Sequence, residues 1–285
     1  MSETIWCCPV CGRKLHPADR SLKCEKGHSF DRSRKGDVHL LPSNKMHAKL
    51  PGDNPEMVRA RRAFLSKGYY AHLLATISQT VCERLPEGGT LLDAGCGEGY
   101  YTAGVLHFLD STGKTAQCYG VDISKTAAGY AAKADSRLDC AVASVFHLPV
   151  ERASCDMLLS IFSPYCGEEF RRVLRPDGWL IMAIPAARHL WELKAAVYDT
   201  PYENAVREYA LEGFTFEQSY TVSREIVLDD PQDIAALFAM TPYAYRTGAA
   251  ERERLAALRT LRTEAAFEVL VYRNTLNKKE NSHGI

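Results

Sequence analysis

The chain carries no net charge at pH 7, with 35 Lys/Arg set against 35 Asp/Glu. Global electrostatics therefore do not select a nucleic acid or an anionic membrane as partner. It has no apolar run of membrane-spanning length, and its N-terminus has no signal-peptide pattern. It has no internal repeat. A disulfide framework is also missing. Six of the ten cysteines (Cys82, Cys96, Cys118, Cys140, Cys155 and Cys166) are scattered without pattern. They read as reduced thiols, which predicts a cytoplasmic protein. At 285 residues the chain can hold one large domain and a small appendage. Its charge is unevenly spread. Residues 1–68 hold 14 Lys/Arg and 7 Asp/Glu, a net of +7, so the rest carries −7. A basic front on an acidic body predicts an anionic partner for the front.

The front also holds the clearest metal spacing. Cys8-Pro9-Val10-Cys11 is a two-residue knuckle, and Cys24 and His28 follow after twelve intervening residues. Three thiolates and one imidazole fill a tetrahedral zinc site and leave no open position, so the ion is structural. Cys7, one residue further out, is a spare thiol. So short a segment has little apolar area of its own, and the metal is expected to supply its stability. The module and the body are expected to have separate cores.

Leu91-Leu92-Asp93-Ala94-Gly95-Cys96-Gly97-Glu98-Gly99 reads as a buried strand ending in an acid and a glycine turn. Gly95 and Gly97 leave bare backbone for a ligand to approach. The alternate glycine spacing differs from the dinucleotide fingerprint Gly-x-Gly-x-x-Gly. It resembles the first motif of class I S-adenosylmethionine (SAM) methyltransferases. One strand later, Gly120-Val121-Asp122 places a second acid at a strand tip, where a carboxylate can take both hydroxyls of a ribose. Ser124 then serves as a helix N-cap.

The remaining pattern predicts an α/β protein. Residues 1–40 form the zinc module, and residues 41–68 a proline- and glycine-bearing linker followed by a helix over Glu56 to Ser66. Residues 69–277 form the body, and 278–285 a disordered tail. In the body a helix runs from Tyr69 to Arg84. Strands are expected near 90–93, 117–122, 139–143, 155–162 and 178–184, separated by helical stretches. A helix near His189 to Tyr198 follows, then strands at 214–227 and 265–275 with helices at 231–240 and 249–262 between them. The last two strands suit an antiparallel hairpin closing the sheet.

Longer motifs join these pieces. Beside the zinc knuckle stand Ala60-Arg61-Arg62-Ala63-Phe64-Leu65, the Asp93–Thr102 glycine motif, Asp122-Ile123-Ser124-Lys125, Arg188-His189-Leu190-Trp191-Glu192-Leu193-Lys194 and Met240-Thr241-Pro242-Tyr243. Together they resemble the bacterial 23S ribosomal RNA (guanine-N1)-methyltransferases, zinc-containing class I SAM-dependent enzymes. The resemblance implies a Rossmann-like mixed sheet of seven strands with a small N-terminal zinc-binding module. It implies SAM and one structural zinc as cofactors, large-subunit ribosomal RNA as partner and no membrane, and it leaves a homodimer open. Tyr70, Tyr101, Thr102 and His189 match positions that contact SAM in the family, beside Asp93, Gly95, Gly97 and Asp122. Arg59, Arg61 and Arg62 with the zinc module are the phosphate contacts, with the target guanine flipped towards Tyr165. No residue is assigned as the acceptor of the guanine N1 proton. Two other readings are a small-molecule SAM methyltransferase with a zinc appendage and a non-catalytic RNA-binding or assembly protein.

Overall fold

The computed structural model describes residues 4–42, 52–205, 209–245 and 247–275. The expected tail, and most of the connector before the first helix, lie outside these residues. In chain order the strands of the front are β1 (Leu15–Ala18), β2 (Ser21–Cys24), β3 (Ser29–Asp31) and β4 (Val38–His39). Helices α1 (Pro55–Ser66) and α2 (Ala71–Arg84) lead into β5 (Gly89–Ala94), α3 (Tyr100–Ser111), β6 (Ala116–Asp122), α4 (Lys125–Ala134) and β7 (Leu138–Val142). Then come β8 (Cys155–Ile161), α5 (Gly167–Val173), β9 (Leu174–Pro185), α6 (Trp191–Val197), β10 (Phe214–Leu228), α7 (Pro231–Ala239), α8 (Ala249–Ala257) and β11 (Leu261–Asn274). The helix expected over 249–262 ends at Ala257, because Leu261 already pairs with Leu228. No helix among the described residues is long and apolar enough to cross a membrane.

Local chemistry sets the element boundaries. Asn54 caps α1 by accepting from Glu56 N at 2.9 Å and Met57 N at 3.0 Å, with Pro55 at the first helical position. Asp230 and Pro231 repeat that device at α7. β5 and β8 are buried along almost their whole length, as parallel strands covered on both faces must be.

The main sheet has the order β10-β11-β9-β8-β5-β6-β7-β4. The strands from β4 to β9 run parallel, and β11 and β10 close the other side antiparallel. β5 lies between β6 and β8, so the order reverses there. A crevice opens at the carboxyl ends of strands at such a switch point, and this one brings Asp93, Asp122 and the chain after Ile161 to one rim.

The sheet has eight strands instead of the expected seven. The eighth is β4, contributed by the zinc module: Val38 pairs with Ala141 and His39 with Val142. It covers the edge that β7 would otherwise expose. The expectation of separate cores is also corrected. Trp6 is fully buried and meets Tyr119 of β6 edge-on at 5.4 Å. Leu15 and Leu22 share one apolar cluster with Leu92, Val121, Ala141 and Leu158 of the sheet. Arg32 forms a two-pronged pair with Asp139 at 2.7 and 2.9 Å. A module this small cannot bury Trp6 within itself, so it buries the ring on the sheet.

Candidate functional site

The glycine loop leaves the end of β5. Gly95 (φ +102°) has no room for a side chain, since a Cβ would lie 2.4 Å from Ser163 Cβ. Ser163 is held there by donating to the Ala94 carbonyl at 2.6 Å. Gly97 (φ +55°) is different. A Cβ there would meet only Arg61 Nη1, at 3.8 Å, so its side of the loop faces open space. Gly95 thus serves close packing, while Gly97 presents bare backbone to a ligand.

The two strand-tip acids hold this loop in different ways. Asp122 accepts from Gly97 N at 3.0 Å and from Ser124 N at 2.8 Å, tying the loop to the start of α4. Each carboxylate oxygen keeps a second lone pair for a further donor such as a ribose hydroxyl. Asp93 is only 1 % exposed. Its Oδ2 accepts from Thr102 Oγ1 at 2.5 Å, while Oδ1 has no partner among the described residues. Burial pushes its carboxyl up to about 7, against the bond from Thr102. A buried carboxylate oxygen without a donor is costly, and an ammonium group placed there relieves it.

The rest of the wall is aromatic. His189, just ahead of α6, packs on Phe267 of β11 at 4.6 Å between ring centroids, and its Nε2 is 3.5 Å from Tyr70 Oη. Tyr70 meets Phe267 edge-on at 4.8 Å. At the exposed edge outside this wall, Phe162 packs on Tyr101 at 6.2 Å and on Phe267 at 5.5 Å. Burial lowers His189 to about 3, so the ring is neutral at physiological pH. Its Nδ1 and the Tyr101 hydroxyl, like Asp93 Oδ1, are buried without a well-formed hydrogen bond among the described residues. Three such polar atoms along one crevice suit a polar ligand with several donors and acceptors. They fit the amino-acid and nucleoside ends of SAM.

The structure therefore brings together Tyr70, Asp93, Gly95, Gly97, Tyr101, Asp122 and His189. Thr102 is fully buried and donates its hydroxyl to Asp93, so it also holds that acid in place. Tyr165 lies elsewhere, edge-on to Phe170 at 5.6 Å, and not in this wall. The exposed aromatic beside the glycine loop is Phe162, which sequence reasoning passed over. The one available signal was its place directly after the fourth strand of the parallel core.

The three arginines of α1 separate. Successive residues turn by about 100°, so Arg59 and Arg62 are near neighbours and Arg61 points elsewhere. Arg61 is half-buried, pairs with Asp53 at 2.5 Å and leans towards Gly97. Asp53 is itself anchored, because its carbonyl accepts from Ser124 Oγ at 3.0 Å. Arg62 lies over the Tyr130 ring at 4.9 Å, and Lys35 of the zinc module lies over the same ring at 5.2 Å. Arg59 is exposed.

The ligand atoms of Cys8, Cys11, Cys24 and His28 all lie within 4.8 Å of one another. Cys11 and Cys24 sulfurs are 3.7 Å apart, and His28 Nδ1 is 3.5 Å from Cys8 Sγ and 3.4 Å from Cys24 Sγ. Thiolates about 2.3 Å from one tetrahedral zinc stand about 3.8 Å apart, so the spacing fits that ion. Cys7 is not in the group. Its backbone instead bridges to Lys14 and donates to the Pro149 carbonyl at 2.7 Å.

Comparison with known proteins gives a consistent result. Residues 6–49 match a zinc-ribbon family described as RlmA, N-terminal, and residues 92–182 match a methyltransferase domain. The chain is 39% identical over 194 residues to the 23S rRNA (guanine(748)-N(1))-methyltransferase of Streptomyces fradiae, covering 67% of this chain and 66% of that protein. A protein of Micromonospora griseorubida is 40% identical over 205 residues, covering 65% of this chain and 67% of its own length. A Bacillus subtilis protein is 33% identical over 267 residues, covering 90% and 91%. The last two carry the 23S rRNA (guanine-N(1)-)-methyltransferase name as a provisional assignment.

Proposed function

As a member of the bacterial 23S rRNA (guanine-N1)-methyltransferase family, this chain is one that, we propose, transfers the methyl group of SAM to N1 of a guanine in a hairpin of 23S ribosomal RNA. The observation that carries this reading is that the module holding a four-ligand zinc cluster is fastened to the glycine-loop sheet, by β4 at the sheet edge and by a shared apolar core. A small-molecule methyltransferase with a zinc appendage would instead methylate a metabolite and show no RNA affinity. The reading places the protein in the cytoplasm with ribosomal RNA. Residues 1–40 and α1 meet the RNA, and residues 69–277 carry the chemistry.

Bound SAM supplies a methyl group on a sulfonium, which already has a good leaving group. The chain's own residues have to align and shield. Asp93 Oδ1 would accept from the ammonium of the methionine part. Asp122 would take the ribose hydroxyls with its remaining lone pairs, and Gly97 would let the ligand reach the backbone. Tyr70, Tyr101 and His189 would form the wall that excludes water. Guanine N1 is paired in a duplex and carries a proton at neutral pH. The base must therefore be unpaired or flipped out, and the proton must leave. His189, lowered to about 3 by burial, is too weak a base for that task.

The test is methyl transfer from labelled SAM to a 23S rRNA hairpin fragment, with the product nucleoside mapped by mass spectrometry. The expected product is 1-methylguanosine. Methylation of a small metabolite with RNA ignored would overturn the reading.

A further inference from the structure

We propose that Phe162 is the platform on which the target base stacks during methyl transfer; this rests on the RNA-methyltransferase reading and names the contact that positions the base. β8 ends at Ile161, and Phe162 follows it with φ +54°. That left-handed region is unfavourable for a bulky aromatic residue and persists only where the surroundings enforce it. They do so here on both sides. Phe162 N donates to the Ala183 carbonyl of β9 at 3.1 Å. The next residue, Ser163, donates to the Ala94 carbonyl and lies 2.9 Å from Ser160 Oγ.

Packing does not account for this conformation. Phe162 is 44 % exposed, although the rings it packs on, Tyr101 and Phe267, are buried. Part of its ring is backed by Tyr101 and Phe267, and the remainder is open to solvent. The backbone is thus held in an unfavourable state that leaves a hydrophobic surface wet. It stands beside the glycine loop, since the adjoining Ser163 fills the space where a Gly95 side chain would be. A flat apolar ring with rigid aromatic backing and one free side suits a planar, π-rich ligand. Base stacking has that chemistry, and it accepts any base. Phe162 therefore orients the flipped guanine, while its selection over other bases rests on polar contacts elsewhere.

The experiment compares wild type, Phe162→Gly, Phe162→Ala and Phe162→Trp on the 23S rRNA hairpin fragment. SAM affinity by calorimetry and melting temperature are measured alongside. Phe162→Gly should lower kcat/KM for RNA by about 5- to 150-fold, the range of one lost stacking contact. SAM affinity should stay at the wild-type value. The melting temperature should fall less in Phe162→Gly than in Phe162→Ala, because glycine takes φ +54° without strain while both lose the ring. Phe162→Ala should lose RNA turnover in the same way, and Phe162→Trp should retain it. Full RNA turnover in Phe162→Gly would overturn the inference. So would a loss of SAM binding that matches the loss of turnover, since Phe162 would then be a wall of the cofactor site. A wild type that methylates no RNA removes the underlying reading and this inference with it, and that result is visible before any variant is made.

Discussion

Replacing Trp6 with alanine tests how the zinc module is joined to the body. Trp6 is fully buried and meets Tyr119 edge-on. Its indole N–H has no hydrogen-bond partner among the described residues, so truncation chiefly removes packing. Loss of a buried Trp costs about 3–5 kcal/mol, aromatic pairing included. For a chain of this size each kcal/mol shifts the melting temperature by about 2–4 °C, giving a fall of roughly 6–20 °C. Tyr119 sits on β6, three residues before Asp122, so the damage should reach the cofactor crevice as well. The assay is differential scanning calorimetry with zinc content and SAM affinity measured on the same sample. With a shared core, the main transition itself moves down and SAM binding weakens. Chelation of zinc should move it in the same direction. If Trp6→Ala shifts only a minor early transition and leaves the main one and SAM affinity unchanged, the module has its own core and the reasoning fails.

Other outcomes follow from the crevice. Gly97→Val should abolish SAM binding by filling the open side of the loop. Asp122→Ala should weaken it by about 1–3 kcal/mol through lost hydrogen bonds, both read by calorimetry. Asp93, at about 7 in the fold against an ordinary 3.8, holds an extra proton when folded. Its contribution to stability is therefore present at acid pH and lost as pH rises from about 4 through about 7. Asp93→Asn should flatten that part of the melting-temperature profile, and SAM should stabilise the wild type more at the upper end of the range, where the carboxylate is charged. Identical profiles for the two proteins would contradict the assignment. Arg61→Ala should raise the Kd for SAM. Arg59→Ala with Arg62→Ala should instead weaken RNA binding and flatten its logarithmic salt slope by about 0.7–0.9 per lost phosphate contact. A matching effect on SAM from both variants would refute the division of the helix.

Adjacent residues carried much of this protein by themselves. The Cys8–Cys11 knuckle with Cys24 and His28, the Asp93–Gly99 turn and the Ser124 helix cap are short-range devices. Their chemistry depends on spacing along the chain, and spacing is visible in a sequence. The βα alternation was legible because buried parallel strands are continuous apolar runs, and the closing hairpin because two strand-like segments follow the last α/β unit. Tertiary structure alone decided which surfaces meet. Nothing near Trp6 says that its ring lies on Tyr119, and the two-residue β4 is too short to show a period yet adds an eighth strand. Arg59, Arg61 and Arg62 form one basic triplet in sequence, but helix rotation sends Arg61 to the glycine loop and Arg62 to Tyr130. Phe162 and Tyr165 are two aromatics three residues apart, and the pinned backbone after β8 leaves Phe162 exposed beside the glycine loop while Tyr165 packs on Phe170. Such pairings depend on side-chain direction and on residues a hundred positions away, and local pattern encodes neither.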